Sequence, residues 1–337
     1  MKNIYNNFRN SLSDKNRIKL SKIVFRLTNK PYYDSSNKIE LDKGVILISA
    51  DFELAWAWRY SKRKVDPIKM AKQEREHFPL ILNKLNELKI PITWATVGHL
   101  FLDSCEMKNG TPHFEMPRSK YFENEYWKYD KGDWFDLDPC GNYKTHPEFY
   151  APDLIEMILN SKVKHEIGCH SFSHIDYSEK HSSKELIEAD LHACEQAAKK
   201  FGVKMESFVF PGNFHGHFDL LEKYGYKLVR YKSNDMKEIG FPEKVTKNLS
   251  AIHDSLSFDL AEEGWDYNYI LLKMKKYVEK AIEKKAIAHF WFHPSIEREQ
   301  INNYFFPFLE YLYKQREEGR IEMLTMNQME NDFSEKL

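Results

Sequence analysis

Two carboxylates stand two positions apart in Ser49-Ala50-Asp51-Phe52-Glu53, directly after the apolar run Gly44 to Ala50. On extended backbone, residues i and i+2 face the same side, so Asp51 and Glu53 converge. Converging carboxylates repel unless a cation or a proton lies between them. A second pair, His170 and His174 in His-Ser-Phe-Ser-His, follows another short segment at 165–169. In a helical turn, positions i and i+4 share a face, so both imidazoles can reach one ion. Two histidines and a carboxylate, with room left for water, form the ligand set of a catalytic Zn²⁺ site. Either pair alone is commonplace, since acid pairs decorate solvated turns and spaced histidines sit on surfaces. Their shared position at the ends of two separate apolar segments gives them weight.

Two further segments end in the same way. Phe290-Trp291-Phe292-His293-Pro294 delivers His293 at the end of an apolar run, and Phe208-Val209-Phe210 runs into the turn Pro211-Gly212-Asn213. His289 lies four residues before His293. On a strand it shares a side with His293 but sits roughly 13 Å away, which reads as a packed interior histidine rather than a second catalytic group.

These segments need a frame that brings their ends together. Gly44–Ala50 and Ile90–Thr96 read as strands buried on both faces, and further strands are expected at 165–169, 207–210, 227–231, 286–292 and 321–324. Helical patterns lie between them at about 67–88, 151–161, 183–201, 217–224, 267–285 and 297–318. Alternating strands and helices predict a parallel sheet, and about seven such units suit a distorted (β/α)7 barrel, which gathers functional residues at the carboxyl ends of its strands. Residues 104–150 break the pattern: they hold Tyr121, Tyr126, Trp127, Tyr129 and Trp134 with no clear period. Such an insertion is either a lid with aromatic platforms for a sugar ring, Trp134 being a candidate, or a decoration packed on the barrel rim.

Of 337 residues, 42% are hydrophobic and 30% charged, which fits a soluble globular enzyme. A net charge of −1 gives no reason to expect a nucleic-acid partner. Four cysteines without a CxxC pair read as free thiols in a reducing compartment. Neither a signal-peptide core nor a run long enough to span a membrane is seen, so a cytoplasmic location is expected. Residues 1–43 read as a basic N-terminal helix and linker, and 44–337 as the barrel domain. Residues 1–30 carry eight Lys/Arg against one acid, Asp14. A helix docked on the barrel is the preferred reading, and peripheral contact with an anionic membrane the second.

The ordered motifs resemble the polysaccharide deacetylase superfamily, the NodB-homology carbohydrate esterases, over roughly residues 44–325. His-Ser-x-x-His at 170–174 is the most specific of them. The resemblance implies a metal-dependent deacetylase acting on an N-acetylated sugar. It implies Asp51 as catalytic base, Glu53, His170 and His174 as ligands of Zn²⁺ or another divalent transition metal, and His293 as general acid. Pro211, Gly212 and Asn213 would bind substrate. This sequence departs from the family pattern twice. Phe52 separates the two acids, which leaves open whether Asp51 or Glu53 holds the metal. The Arg expected before Pro211 is absent, and Arg230 is the candidate replacement. The family's fourth motif has only Asp259 and Trp265 as candidates.

The mechanism expected from that resemblance has water activated at the metal, Asp51 taking its proton and His293 protonating the departing amine. An O-deacetylase or other amidohydrolase with the same centre is the alternative, and a non-catalytic carbohydrate-binding domain is the third reading. With no export signal, the expected substrate is a glycan precursor, nucleotide-linked or lipid-linked, in surface-polysaccharide (for instance lipopolysaccharide) assembly.

Overall fold

A computed structural model describes residues 31–35, 39–231, 239–258 and 266–333. The basic segment 1–30 and the fourth-motif candidates Asp259 and Trp265 lie outside the described residues.

The central element is β1 (Gly44–Phe52), whose nine residues are all buried. It is flanked by β9 (Ile287–Phe292) on one side. On the other lie β2 (Thr93–Thr96) along its carboxyl half and β10 (Ile321–Leu324) along its amino half, all parallel. From β2 the sheet continues through β3 (Glu166–Cys169), β4 (Ser207–Val209) and β5 (Leu228–Tyr231) to β7 (Ser250–His253), again parallel. A two-residue strand β6 (Glu243–Lys244) adds antiparallel to β7.

The ring closes through one bent segment. After β7 only Asp254 and Ser255 intervene before β8 (Leu256–Ser257), which pairs with β9 at the far end of the sheet. The Ser255 amide donates to the His289 carbonyl at 2.7 Å and the His289 amide to Ser255 Oγ at 2.9 Å, so the bend is tied to β9 at Ser255. With β7–β8 counted as one stave, β1, β2, β3, β4, β5, β7–β8 and β9 make the distorted seven-stranded barrel expected from the alternation. The stave at 250–257 is absent from the sequence reading because His253, Asp254 and Ser255 interrupt its apolar run.

Helices cover the outside: α1 (Pro67–Glu87), α2 (Pro152–Leu159), α3 (Lys184–Lys199), α4 (Phe218–Lys223), α5 (Tyr267–Lys284), α6 (Phe306–Glu317) and α7 (Met326–Phe333). The start of α1 is set by Asp66, whose Oδ1 accepts from the Ile68 amide at 2.9 Å, and by Pro67, which needs no donor there. The single helix expected at 297–318 is instead a short turn at Arg298–Gln300, a π-turn at Ile301–Phe305, and α6. Pro307 can neither donate to the preceding turn nor tolerate its carbonyl, and the π-turn opens the ladder just ahead of it.

The insertion contains two small hairpins, Met107–Lys108 with Thr111–Pro112 and Phe122–Glu123 with Lys128–Tyr129. It packs on the barrel rim with Trp127, Tyr129, Trp134 and Phe135 buried. Arg59, itself buried, pins it down: the guanidinium donates to the Trp134 carbonyl and, at 2.5 Å, to the Ser173 carbonyl, and it lies over the Trp56 and Trp134 rings. Among the described residues no helix is long and apolar enough to cross a membrane.

Candidate metal and catalytic site

At the carboxyl end of the barrel the four motif segments meet. Asp51 is the penultimate residue of β1, and Glu53 lies one position beyond the strand, at the start of a 3-10 turn, Leu54–Trp58. Both side chains are buried. Glu53 Oε1 lies 3.2 Å from His170 Nε2 and 3.3 Å from His293 Nε2, and Oε2 lies 3.6 Å from His174 Nε2. Burial alone would raise the Glu53 carboxyl, but His174, His293 and His170 outweigh it and hold it well below the usual range.

Glu53, His170 and His174 present one ligand atom each within 4.8 Å of one another, and so do Asp51, Glu53 and His293. Two observations test whether a cation fits the first set. Apart from His174, Glu53 Oε2 has no polar partner among the described residues although it is buried, which is costly for a carboxylate oxygen. His170 Nδ1 lies 2.7 Å from the Val209 carbonyl, which can only accept; that nitrogen therefore donates there, and Nε2 is the nitrogen presented to Glu53. This is the orientation that metal-bound histidines receive from their surroundings. The residues fit a divalent transition metal.

The histidine motif is not the helical turn expected from its spacing. Residues 170–175 form an irregular loop in which Ser171 and His174 adopt left-handed backbone, at φ 66° and 56°. Asp190 of α3 imposes that shape by accepting from Ser171 Oγ at 3.0 Å, the Phe172 amide at 2.8 Å and the Tyr177 hydroxyl at 2.7 Å. Ser171 Oγ in turn accepts from the Ile175 amide. The imidazoles still meet, with ring centroids 5.0 Å apart.

Arg230 reaches Asp51 from β5, two strands beyond β3. Its Nη1 donates to Asp51 Oδ1 at 2.7 Å and its Nη2 to Oδ2 at 2.6 Å, with Ser49 Oγ also accepting from Nη1 at 2.7 Å. The register explains the geometry: Arg230 pairs with Val209 of β4, two residues before Pro211, so it stands on the neighbouring strand close to the level of that turn. His289 is buried against Ser49 Oγ at 2.9 Å, and burial, with the nearby Arg230 charge, keeps it neutral. It belongs to the packed interior.

Above these groups lies a cleft of about 450 Å³, within the range of small-ligand sites. Asp51, Glu53, His174 and His293 form its floor, and Trp58, Tyr126, Trp127 and Trp291 its aromatic walls. Gly212 and Asn213 line it, whereas Pro211 is buried beneath. Trp134 corrects its expected role as a sugar platform: it is buried, and its indole N–H donates to the Ser173 carbonyl at 3.1 Å. Trp127, from the same insertion, takes the wall position against His174.

Like Asp190, a second residue escaped the sequence reading. Glu74 of α1 is buried under the site, and its two oxygens accept from the Glu53 and Leu54 amides at 3.2 Å each. These bonds hold Leu54 in the left-handed region at φ 50°, a strained conformation for leucine. Burial, then the charge of Glu53, push the Glu74 carboxyl up to about 8. An acid within the apolar stripe Ala71, Phe78, Ile81, Leu85 was the available signal.

Residues 67–229 match the family model for polysaccharide deacetylase. The match takes in His170 and His174 and stops one residue short of Arg230, with Asp51, Glu53 and His293 outside it. A protein from Mycobacterium smegmatis assigned to the polysaccharide deacetylases superposes with a TM-score of 0.61 at 13% identity, covering 91% of this chain and 96% of that one. Puue allantoinase gives 0.60 at 10%, covering 88% and 94%. A protein of Pseudomonas aeruginosa PAO1, also assigned to the polysaccharide deacetylases, gives 0.58 at 9%, covering 86% and 90%. At such identities these likenesses show the fold alone. No curated protein matches the chain.

Proposed function

We propose that this chain, whose residues 67–229 belong to the polysaccharide deacetylase family, hydrolyses the N-acetyl group of an amino sugar with the help of a divalent transition metal such as Zn²⁺. The observation that carries this reading is the convergence of Glu53, His170 and His174 on one point, with the Arg230-held Asp51 and His293 beside them.

A cation held by Glu53, His170 and His174 supplies Lewis-acid polarisation of the acetyl oxygen and of a water molecule. Asp51 is the general base. Its orientation is fixed by two charge-assisted bonds, so the proton arrives at a carboxylate already in place. His293, partly exposed and beside Trp58 and Trp291, faces the substrate side and protonates the departing amine. Our division of labour between the acids rests on their contacts: Glu53 touches both motif histidines, while Asp51 is engaged by Arg230. In the turn after β4, the Asn213 and Phe214 amides are taken by the Phe210 and Pro211 carbonyls. The Gly212 amide is thus the turn donor we assign to the oxyanion. The aromatic walls suit the apolar faces of a sugar ring and favour an amino sugar over a small acyclic amide.

In biological terms we place the reaction on a glycan precursor, nucleotide-linked or lipid-linked, in the cytoplasm or at the inner face of the membrane. The test is acetate release from a panel of free, nucleotide-linked and lipid-linked N-acetyl amino sugars, with O-acetyl sugars and allantoin as contrasts, before and after metal removal with EDTA. Zinc-dependent release of acetate with appearance of a free amine is expected. Turnover confined to esters or allantoin, or no turnover of any substrate by zinc-loaded protein, overturns the reading.

A further inference from the structure

A second group of metal-ligating side chains lies in and beside the insertion, away from the catalytic floor. His99, Cys105, His113 and Asp138 each offer one ligand atom, all within 4.8 Å of one another. His99 Nε2 stands 3.1 Å from His113 Nε2 and 3.0 Å from Asp138 Oδ2, and His113 Nε2 stands 2.8 Å from that same oxygen. Cys105 Sγ is 3.3 Å from it. His99, His113 and Asp138 are buried and Cys105 is half-buried.

The contacts argue for an ion at this point. His99 Nδ1 lies 3.1 Å from the Phe149 carbonyl, an acceptor only, so Nδ1 donates there and Nε2 is the nitrogen turned into the cluster. There it meets His113 Nε2 at 3.1 Å and Asp138 Oδ2 at 3.0 Å, three ligand atoms crowded together in a buried site. A cation at their centre gives all three a common partner. The outer contacts are those of a metal centre: a carbonyl orients His99, and the Tyr150 hydroxyl and the Cys140 amide, each at 3.0 Å, occupy Asp138 Oδ1 and leave Oδ2 to face inward. Tetrahedral zinc, with bonds of about 2.0 Å to nitrogen and 2.3 Å to sulfur, spaces its ligand atoms roughly 3.3–3.6 Å apart. The distances here fall a few tenths of an ångström inside that, so a slight expansion admits the ion. One thiolate and one carboxylate balance its two charges, and the buried set becomes neutral overall.

The geometry points to a structural zinc site formed by His99, Cys105, His113 and Asp138, which staples the irregular insertion to the barrel. Four protein ligands leave no position open for substrate, and a thiolate favours zinc over magnesium or calcium. The staple has a mechanical consequence. The rings of both histidines pack against Phe172 of the catalytic loop, and the His99 amide donates to its carbonyl at 2.9 Å. The site therefore braces the loop that carries His170 and His174.

Because the catalytic set contains no cysteine, cobalt distinguishes the two sites without any measurement of turnover. Full-length protein is stripped of metal and reloaded with Co²⁺, and the thiolate-to-cobalt charge-transfer band is read in the near ultraviolet. The band is expected in the wild-type chain and in His170→Ala, and is expected to vanish in Cys105→Ser. A wild-type cobalt protein without the band overturns the assignment, as does a band that survives Cys105→Ser. Alkylation of the wild-type zinc protein gives a second reading that needs no variant. Cys105 is expected to be protected from iodoacetamide until EDTA is added. Cys140 Sγ lies 3.0 Å from Cys105 Sγ. Protection lifted by a reductant and not by EDTA would identify a disulfide between them and overturn the proposal.

Discussion

Arg230 holds Asp51 by both carboxylate oxygens, at 2.7 and 2.6 Å, from a strand that in sequence lies far from the motif turn it serves. The pair is buried, so it differs in kind from a surface ion pair. Both ends also meet other groups, Arg230 lying on the Trp291 ring and donating to Ser49 Oγ. A lysine can supply the charge but not the fork.

Arg230→Lys is accordingly expected to fold and to retain its metal, while turnover falls on the order of 10²-fold through misplacement of the base. Arg230→Ala leaves a buried carboxylate unpaired and should cost about 3–5 kcal/mol of stability. Steady-state kinetics, metal content and denaturant titration of the two variants check this. Full activity in Arg230→Lys would remove the positioning role.

The metal set and the acid should separate experimentally. His170→Ala and Glu53→Gln are expected to lose the catalytic metal and activity together. His293→Ala should keep the metal and lose turnover by about 10²–10⁴-fold. Elemental analysis beside kcat on an N-acetyl amino sugar reads both. Metal lost with His293 would move that residue into the ligand set.

How far the sequence foretold these groups depended on where their signals lay. Strand ends were legible because short apolar runs stop at polar residues, and the placement of Asp51, His170, His293 and the 211–213 turn on one face follows from barrel geometry alone. Arg230 carried no local signal; only the register of β5 on β4 brings it to Asp51. Asp190 and Glu74 were hidden for a related reason. Each is one polar residue on the inner face of an amphipathic helix, and its meaning lies in the backbone amides it meets across the fold. Trp134 and Trp127 looked alike in an aperiodic segment. Both are buried, but one is covered by Arg59 and the other turns an edge to the cleft, a difference decided by tertiary packing.

Gly212 offers a test of the cleft wall. Its φ is +58°, and a Cβ there would meet a Trp127 ring carbon and the Phe214 ring at 3.1 Å. Gly212→Ala should therefore cost about 1–2 kcal/mol for the left-handed backbone and push Trp127 off its position. The expected signature is a KM raised several-fold with metal content intact. An unchanged KM would show that the Trp127 wall does not touch substrate.

Asp190 links loop shape to pH. Burial, against the bonds from Phe172, Tyr177 and Ser171, raises its carboxyl from 3.8 to about 6. In the unfolded chain the group ionises near 3.8, while in the folded chain it keeps its proton until about 6. Its favourable contribution is thus fully present below pH 3.8 and is lost as pH rises through 6. At about 1.4 kcal/mol per pH unit, this withdraws on the order of 3 kcal/mol across that window. Asp190→Asn cannot titrate. It should be less stable than wild type at every pH, because an amide nitrogen faces donors that a carboxyl oxygen had accepted, but its deficit should shrink between pH 4 and 6.5. Denaturant unfolding of both proteins in EDTA across that range measures the difference. A deficit that grows toward pH 6.5 would mean that Asp190 is ionised in the folded chain well below 6, and that its charge, not its proton, holds the loop.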